Sequence, residues 1–381
     1  MSSKVAIDNP WMPFYLTCVN GISDPLALSL NDIISCDESN PIEHICIFNF
    51  MVDPIWLMDA CPLLRRIPLL LIHGDKSLQS NDLLYPNIVS SLVDLGPETY
   101  GSHHTKMFLI FYKSGFRIAI GTSNLLEADW TSKSQGFYVQ DFPLKNATSI
   151  PTSTGYSYVD DLKSYLNETN LFSFVARKLL QDKVINQLAK YDFSSAEVVL
   201  LASAPGRFKV NKSPSGSPVC NWGHLKLREY LNQYKQAKRE NSSSPSSPSS
   251  LTADKYWSES ATAMQCSAVS SLGKNESYLT ELSDTFNVCA SNANGLGRLH
   301  LIWPTADMVR GSLEGWGAGA CMPCASQASN IHVLTLLVGY IDVTNLRNAR
   351  LQLFSNNRNC LYVLSVDESI ATECAYFITN F

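Results

Sequence analysis

The sequence predicts an α/β fold, because short apolar runs alternate with segments of helical periodicity over the first half of the chain. With 381 residues, the chain is long enough for two domains with full hydrophobic cores. Its composition, 45% apolar and 17% charged, is that of an ordinary globular protein and excludes a largely disordered chain. We therefore expect a sheet that is largely covered by helices.

The order of these segments predicts the elements of a first domain over residues 13–205, after a flexible N-terminus at residues 1–12. Five apolar runs are predicted as strands: Ile45–Phe50, Ile67–Ile72, Met107–Tyr112, Arg117–Ile120 and Val198–Leu201. Two segments with apolar residues at helical spacing are predicted as helices: Asp160–Asn167 and Phe172–Lys190. This alternation of strands and helices is typical of an α/β sheet domain.

A second α/β domain is predicted over residues 206–381. It contains a Ser/Pro segment at residues 241–250, which has too few apolar residues to order itself and is predicted as a disordered loop. The charged stretch Leu225–Glu240 before it is predicted as a helix. We interpret its charges as a solvated face rather than as a nuclear localisation signal at Lys235–Arg239.

The charge and the cysteines narrow the class of protein. A net charge of −5 excludes broad coating of duplex DNA, which needs a basic face, but allows a small groove for a strand end. Eleven scattered cysteines are an odd number, and this predicts reduced thiols in the cytosol or nucleus. Residues 1–5 show no signal-peptide pattern and no run of 18 apolar residues occurs, so we expect no membrane association.

The segment His103–Lys106, directly before the apolar run Met107–Tyr112, carries the candidate chemistry. Side chains two apart in a strand share a face, so His104 and Lys106 are predicted to enter one pocket with Thr105 on the other side. An uncharged imidazole can attack phosphorus, and a lysine can stabilise phosphate oxygens. Asn124, after the next apolar strand, adds a neutral donor. The alternative is that the histidine only forms structural hydrogen bonds.

A longer pattern surrounds this motif. In chain order its segments are Pro13–Thr17, Leu70–Lys76, Gly101–Met107, Thr122–Leu125, Ala128–Trp130, Gln135–Gly136, Ser203–Phe208, Asn221–Leu227, Ser267–Gly273, Ile302–Pro304 and Ser312–Gly315. In order and spacing they resemble the tyrosyl-DNA phosphodiesterase family, a branch of the phospholipase D superfamily. The resemblance covers residues 13–325. It implies a phospholipase D-like pseudo-repeat of two α/β sheet domains, each of which supplies one His-x-Lys motif.

The second half of this pseudo-repeat is predicted to be incomplete. No lysine follows Lys274, so neither His300 nor His332 can form a second His-x-Lys motif. His224 precedes a lysine by two residues, but it matches a different segment of the family. Residues 331–372 depart from the family pattern, as alternative splicing, an altered reading frame or a gene-model error would each produce. Asn380 is the candidate for the second asparagine.

The resemblance implies a specific reaction. It is hydrolysis, in DNA repair, of the 3′-phosphodiester between DNA and a topoisomerase tyrosine, through a phosphohistidine. By resemblance His104 is the nucleophile, Lys106 and Asn124 bind the phosphate oxygens, and Gln135 supports them. The loop implied to grip the DNA backbone consists of Ser267, Ala268, Val269, Ser270 and Ser271. No metal and no cofactor is implied.

The same resemblance implies the partners and the location. The implied substrate is a single-stranded or nicked DNA 3′ end that carries a tyrosyl peptide. We expect a monomer in the nucleus, or in both the nucleus and the cytoplasm.

Three alternatives stay beside this interpretation. Because the second motif is missing, the chain could be an impaired isoform that binds 3′ ends without efficient turnover. A lipid hydrolase of the same superfamily is disfavoured, because Phe111 stands where that group has an aspartate. The pair Cys321 and Cys324 has the spacing of zinc ligands, but a structural zinc site needs a second pair and none follows.

Overall fold

The computed structural model describes residues 14–78, 85–93, 95, 102–146, 158–168, 174–196, 198–204, 211–212, 218–219, 222–242, 262–265, 277–286, 288, 299–302, 306–321 and 376–379. The chain divides into two units, of which the first comprises residues 1–200, 364–366 and 377–381 and the second comprises residues 201–363 and 367–376. The domain boundaries at residues 12 and 205, and the divergent tail, stay predictions.

The first unit is built on a mixed sheet of seven strands. They are β1 Phe14–Leu16, β2 Ile42–Asn49, β3 Leu69–His73, β4 Ile88–Leu92, β5 Met107–Tyr112, β6 Gly115–Gly121 and β7 Gly136–Pro143. Their order across the sheet is β1-β7-β6-β5-β2-β3-β4. Strands β2, β3 and β4 are parallel, whereas β5, β6 and β7 form an antiparallel meander. The predicted α/β fold class is therefore confirmed, with strands at four of the positions that the sequence indicates for this sheet.

The centre of the sheet is buried on both faces. Every side chain of β5 is buried, as are all those of β6 except its first residue. Strand β5 lies between β2 and β6, with Met107 paired to Phe48 on one side and to Ile120 on the other. A strand buried on both faces reads as a continuous apolar run, which is why the sequence identifies it.

Helices cover this sheet. They are α1 Leu30–Ile33, α2 Pro54–Ala60, α3 Glu127–Thr131, α4 Tyr158–Leu166, α5 Phe174–Leu180 and α6 Asn186–Leu188, with a 3₁₀ turn at Pro62–Arg65. Two of them begin at a side-chain cap, Ser29 before α1 and Asp53 before α2. The Asp53 carboxylate accepts hydrogen bonds from the first free N–H groups of α2, and Pro54 fixes its first turn. The predicted helices near residues 160–167 and 172–190 are thus both present.

A π-helical turn, Gln181–Ile185, connects α5 to α6. The His44 ring stacks on Phe111 with ring centroids 4.3 Å apart, and its Nε2 lies 2.8 Å from the carbonyl oxygen of Lys183 within that turn. Burial lowers the pKa of His44, so this ring donates as a neutral imidazole. The side chain from β2 thereby ties the wide turn to the sheet.

The one charged side chain of strands β5 and β6 is that of Arg117, which is buried. Its guanidinium donates two hydrogen bonds to the Asp141 carboxylate, at 2.6 and 2.8 Å, and one to the Ile33 carbonyl at the end of α1. Burial opposes the charge of Arg117, but the bonds to Asp141 hold its pKa above its ordinary value. The two partners differ in exposure: 5% for the Arg117 side chain and 53% for Asp141.

This difference predicts that loss of Asp141, the exposed partner, lowers the free energy of unfolding more than loss of Arg117 does. Asp141→Ala should lower the free energy of unfolding by about 3 kcal/mol, because it leaves a buried guanidinium without a counterion. Arg117→Met should cost only about 1–2 kcal/mol, since the remaining carboxylate is solvated and the carbonyl of Ile33 loses one bond. Urea unfolding of both variants measures which of them has the lower free energy of unfolding. An Arg117→Met variant that is clearly the less stable of the two would contradict it.

The second unit is described by short elements. Its strands are β9 Asn211–Lys212, β10 Pro218–Val219, β11 Thr262–Gln265 and β12 Leu299–Ile302, paired as β9-β10 and β11-β12. Two more strands, β8 Val198–Leu201 and β13 Tyr376–Thr379, pair with each other and belong to the first unit except for Leu201 and Tyr376. Its helices are α7 Gly223–Ser242, α8 Ser277–Phe286 and α9 Ala306–Arg310, followed by a 3₁₀ helix at Gly315–Cys321. Across the described ranges, each helix is too short or too polar to cross a lipid bilayer.

Basic side chains of α7 contact α8 rather than only solvent. The Arg228 guanidinium donates to the Glu281 carbonyl at 2.8 Å and to the Thr285 hydroxyl at 3.0 Å. The Lys235 ammonium donates to the Val288 carbonyl at 2.6 Å, just beyond the end of α8. Cations are favourable at a helix C-terminus. The interpretation of α7 as a simply solvated face is therefore wrong for these two residues, because they cap the neighbouring helix.

Candidate active site

The predicted pair lies in the segment directly before β5, at the end of the sheet where β5 begins and its neighbours β2 and β6 end. His104 and Lys106 precede Met107, the first residue of the strand, and the Lys106 carbonyl accepts a hydrogen bond from Gly121 N–H at 2.9 Å. The pair is thus outside the regular strand, yet its side chains meet as alternation predicts. The Lys106 Nζ atom lies 2.8 Å from His104 Nδ1. Both side chains are buried.

The contact fixes how the two groups share protons. An ammonium group has donors only, so Nδ1 of His104 accepts and the proton of a neutral ring lies on Nε2. Lys106 also donates to the carbonyl oxygen of His104 at 3.0 Å. The Phe50 ring forms one wall, with its centroid 4.6 Å from that of His104 and 5.8 Å from Lys106 Nζ. A cation beside an imidazole, both withdrawn from solvent, is an arrangement that can bind and attack a phosphoryl group.

Asn124 follows β6, the neighbour of β5, and is oriented by Asp129. The Asp129 carboxylate accepts from the Asn124 amide Nδ2 at 3.0 Å and from its backbone N–H at 2.8 Å. Lys133 donates to the other carboxylate oxygen at 2.9 Å, and the Trp130 indole donates to the Asn124 carbonyl at 2.8 Å. The Oδ1 atom of Asn124 is buried and has no hydrogen-bond partner among the residues described. Such an amide is held in place and retains polar capacity for a ligand.

Gln135 lies behind the loop that carries Asn124. Its Oε1 accepts from the Thr122 hydroxyl at 2.5 Å, and the same hydroxyl accepts from Gly136 N–H at 3.0 Å. The structure therefore places Gln135 at the start of the loop 122–125, as a support for it.

Asn49, at the end of β2, was not identified from the sequence. Its amide donates to the Ser123 carbonyl and its oxygen accepts from Leu125 N–H, both at 3.3 Å, so it brackets Asn124 from both sides. A buried asparagine that ends an apolar strand is a signal for such a role, since buried polar groups need partners. Its bonds span more than 70 residues of chain, which sequence spacing does not reveal.

His103 is fully buried beside His104 and Lys106, and burial lowers its pKa to about 3, with a further contribution from the charge of Lys106. The ring packs against Phe48, with centroids 6.0 Å apart. His103 therefore stays neutral throughout the physiological range, and it does not compete with His104 for a proton.

Neutral burial of His103 predicts a pH-dependent stability. In the unfolded chain a histidine binds a proton below a pKa of 6.5, whereas folded His103 does so only near pH 3, so stability is fully present above pH 6.5 and is lost as pH falls toward 3. Between pH 7.5 and 5.5 this costs about 1.4 kcal/mol. Urea unfolding should show that loss for the wild type and a smaller loss for His103→Phe. Equal losses in the two proteins would contradict the assignment.

Gly74, directly after β3, lies against the backbone of His103 in the segment before β5. A β-carbon at this position would lie 2.5 Å from the carbonyl oxygen of His103 and 2.8 Å from Cδ2 of Phe50. Gly74→Ala should therefore push both residues and lower the free energy of unfolding by about 1–3 kcal/mol. Gly317→Ala is the matched control, because nothing lies within 4 Å of its added carbon. Equal melting temperatures for the two variants would contradict this close packing.

Other predicted residues lie outside the description. These are the DNA loop Ser267–Ser271, the candidate asparagine Asn380 and Cys324 of the cysteine pair. Over the described ranges, no group of three or more His, Cys, Asp or Glu side chains is arranged to hold a metal ion.

Comparison with known proteins shows which family the chain resembles. The family model described as "Tyrosyl-DNA phosphodiesterase" matches residues 13–339. The chain is 32% identical over 325 residues to tyrosyl-DNA phosphodiesterase 1 of Arabidopsis thaliana, covering 81% of this chain and 48% of the relative. It is 29% identical over 315 residues to the Drosophila melanogaster protein of the same name, covering 79% and 49%. The chain thus spans about half the length of these two relatives.

Solved structures agree on the fold. A yeast tyrosyl-DNA phosphodiesterase mutant superimposes with a TM-score of 0.55 at 13% identity, over 82% of this chain and 68% of that chain. The yeast protein without that mutation gives a TM-score of 0.53 at 12% identity, over 81% and 68%. The expected phospholipase D-like architecture is therefore supported by structure as well as by sequence.

Proposed function

Since the chain belongs to the tyrosyl-DNA phosphodiesterase family, we propose that it hydrolyses the phosphodiester between a DNA 3′ end and a tyrosine of a trapped topoisomerase. Family membership favours hydrolysis over the alternative of binding without turnover. The proposed substrate is a single-stranded or nicked 3′ end in DNA repair, and we propose that the chain acts in the nucleus as a monomer.

The observation that carries this proposal is the direct contact between His104 and Lys106. Their side chains meet at 2.8 Å and are 4% and 1% exposed. The Lys106 ammonium contacts the imidazole and the carbonyl oxygen of His104, and it lies over the ring of Phe50. A cation arranged in this way is suited to a ligand that brings negative charge, as a phosphodiester does.

We propose that phosphate binding switches the pair into its reactive form. The phosphate oxygens draw the Lys106 ammonium away from His104 Nδ1, the ring proton moves to Nδ1, and the Nε2 lone pair attacks phosphorus. The new N–P bond replaces the P–O bond to tyrosine, and the phenolate, whose phenol has a pKa of about 10, leaves with the bonding electrons and takes a proton from water. Water then cleaves the N–P bond, which returns the imidazole and leaves a DNA 3′-phosphate.

We assign supporting roles to residues around the pair. Asn124 donates to a phosphate oxygen with the remaining hydrogen of its amide, while Asp129 holds the other hydrogen. Gln135 keeps the loop 122–125 in place through Thr122. The hydroxyl and N–H groups of Ser267–Ser271 are proposed to grip the DNA backbone without reading its sequence.

A cleavage assay tests the proposal. Purified protein is mixed with a single-stranded oligonucleotide that ends in a 3′-phosphotyrosine, and tyrosine release and the 3′-phosphate product are followed. We expect turnover, and a covalent protein–DNA adduct on denaturing gels that disappears with time. A 5′-phosphotyrosyl oligonucleotide is the control and should be cleaved poorly. Binding of the 3′ substrate with neither cleavage nor adduct would overturn the proposal in favour of an end-binding protein.

A further inference from the structure

We propose that Tyr165 of helix α4 is a positioning residue for the reacting pair, a role that rests on the proposed function. Its phenolic oxygen lies 2.6 Å from the Thr105 hydroxyl; the Tyr165 side chain is buried and that of Thr105 is half-buried. Thr105 stands between His104 and Lys106. Tyr165 therefore holds the reacting segment from the side opposite to the substrate.

The reacting segment needs such a hold because it lies outside the regular strand. Residues 102–106 precede β5, so the ladder that fixes Met107 between Phe48 and Ile120 does not extend over His104. Successive residues of an extended segment point to opposite sides, and a turn of the segment about its axis would exchange them. Fixing Thr105 on one side therefore fixes His104 and Lys106 on the other.

Tyr165 is itself firmly placed. It lies on the buried face of α4, which also carries Leu162 and Leu166, and only 6% of it is exposed. Its ring packs 6.3 Å from that of Phe48, which in turn packs 6.0 Å from His103. A buried hydroxyl that lost its bond to Thr105 could not replace it with bulk water. The contacts that hold the helix and the segment together thus include the hydrogen bond between Tyr165 and Thr105 and the packing of both Tyr165 and His103 against Phe48.

Four variants test this role against simple stabilisation. Tyr165→Phe and Thr105→Val each remove one partner of the bond, and Thr105→Ser keeps the hydroxyl. Tyr158→Phe is the matched control, because it removes a buried hydroxyl from the same helix, where its oxygen lies 3.1 Å from Tyr138. We expect kcat for the 3′-phosphotyrosyl oligonucleotide to fall roughly 10-fold in the first two, short of the ~100-fold cost of a 1 Å misplacement.

The other readouts separate positioning from folding. KM should change less than twofold, roughly, since binding contacts remain. Thr105→Ser should restore kcat, and the Tyr165→Phe/Thr105→Val double variant should be no slower than either single variant, because both remove the same bond. All variants should melt close to Tyr158→Phe. If Tyr165→Phe fails to fold, the contrast between Thr105→Val and Thr105→Ser carries the test.

An activity-independent measurement distinguishes this proposal from the proposed function. The imidazole NMR signals of His104, identified by their loss in His104→Ala, should shift in Tyr165→Phe and Thr105→Val but not in Tyr158→Phe. That shift in a protein with no cleavage activity would refute the function and keep the positioning role. Unshifted signals, or a kcat for Tyr165→Phe equal to that of Tyr158→Phe, would overturn the role of Tyr165.

Discussion

His104→Ala should abolish cleavage of a 3′-phosphotyrosyl oligonucleotide, with a loss of at least about 10⁴-fold in kcat and no covalent adduct. The reason is that alanine removes the atom that forms the bond to phosphorus. The fold should persist, because the imidazole contacts Lys106 and one wall of the pocket, Phe50, rather than the centre of the core. Single-turnover kinetics and denaturing gels measure both effects.

His44→Ala is the control for this experiment. His44 is also a partly buried histidine of the first unit, but it contacts Lys183 and Phe111 and takes no part in the reaction. It should keep wild-type kcat while losing some stability. A His104→Ala protein that still turned over within a few-fold of wild type would remove His104 as the nucleophile.

Lys106→Met should lower kcat by about 10²–10³-fold, because a cation positioned at the phosphate oxygens stabilises charge that develops in the transition state. The same substitution should not lower the stability of the fold. Lys106 is 1% exposed, so replacing its charge with an apolar chain of similar volume should leave the free energy of unfolding unchanged or higher. Steady-state kinetics and urea unfolding of the same preparation give the two numbers.

Two further variants sharpen this result. Lys113→Ala removes an exposed lysine at the turn between β5 and β6 and should change neither quantity. Lys106→Arg should not restore activity, since a planar guanidinium does not replace a compact ammonium in a closed pocket. A Lys106→Met protein with full activity, or one that is strongly destabilised, would assign the lysine to the fold instead of to the chemistry.

The sequence predicted the centre of the sheet well and its margins poorly. Strands β5 and β6 are continuous apolar runs, because both of their faces are covered. Strand β7 was missed, since Gly136–Pro143 mixes aromatic and polar residues, and so was β4, a short edge strand with two serines. Strand β1 is only three residues long. Such strands depend on pairing with neighbours more than on their own pattern.

The candidate site likewise contains residues that the sequence pattern predicts and residues that it does not. His104 and Lys106 are two residues apart, so alternation alone predicts their contact. Asp129 is close to Asn124 in sequence, but nothing in the spacing shows which atoms it binds. Asn49 and Tyr165 act over 60 residues or more of chain, and only the fold brings them to the loop and the segment that they hold. Local pattern thus predicts reacting groups better than their supports.

The hairpin of β5 and β6 has a further consequence for how such a protein changes over generations. Its two strands are joined by the two residues between Tyr112 and Gly115, so His104, Lys106, Asn124 and Gln135 all derive from one uninterrupted stretch, residues 104–135. One recombination event can copy, transplant or erase a whole stretch of this kind. A point mutation, by contrast, replaces only one of these side chains.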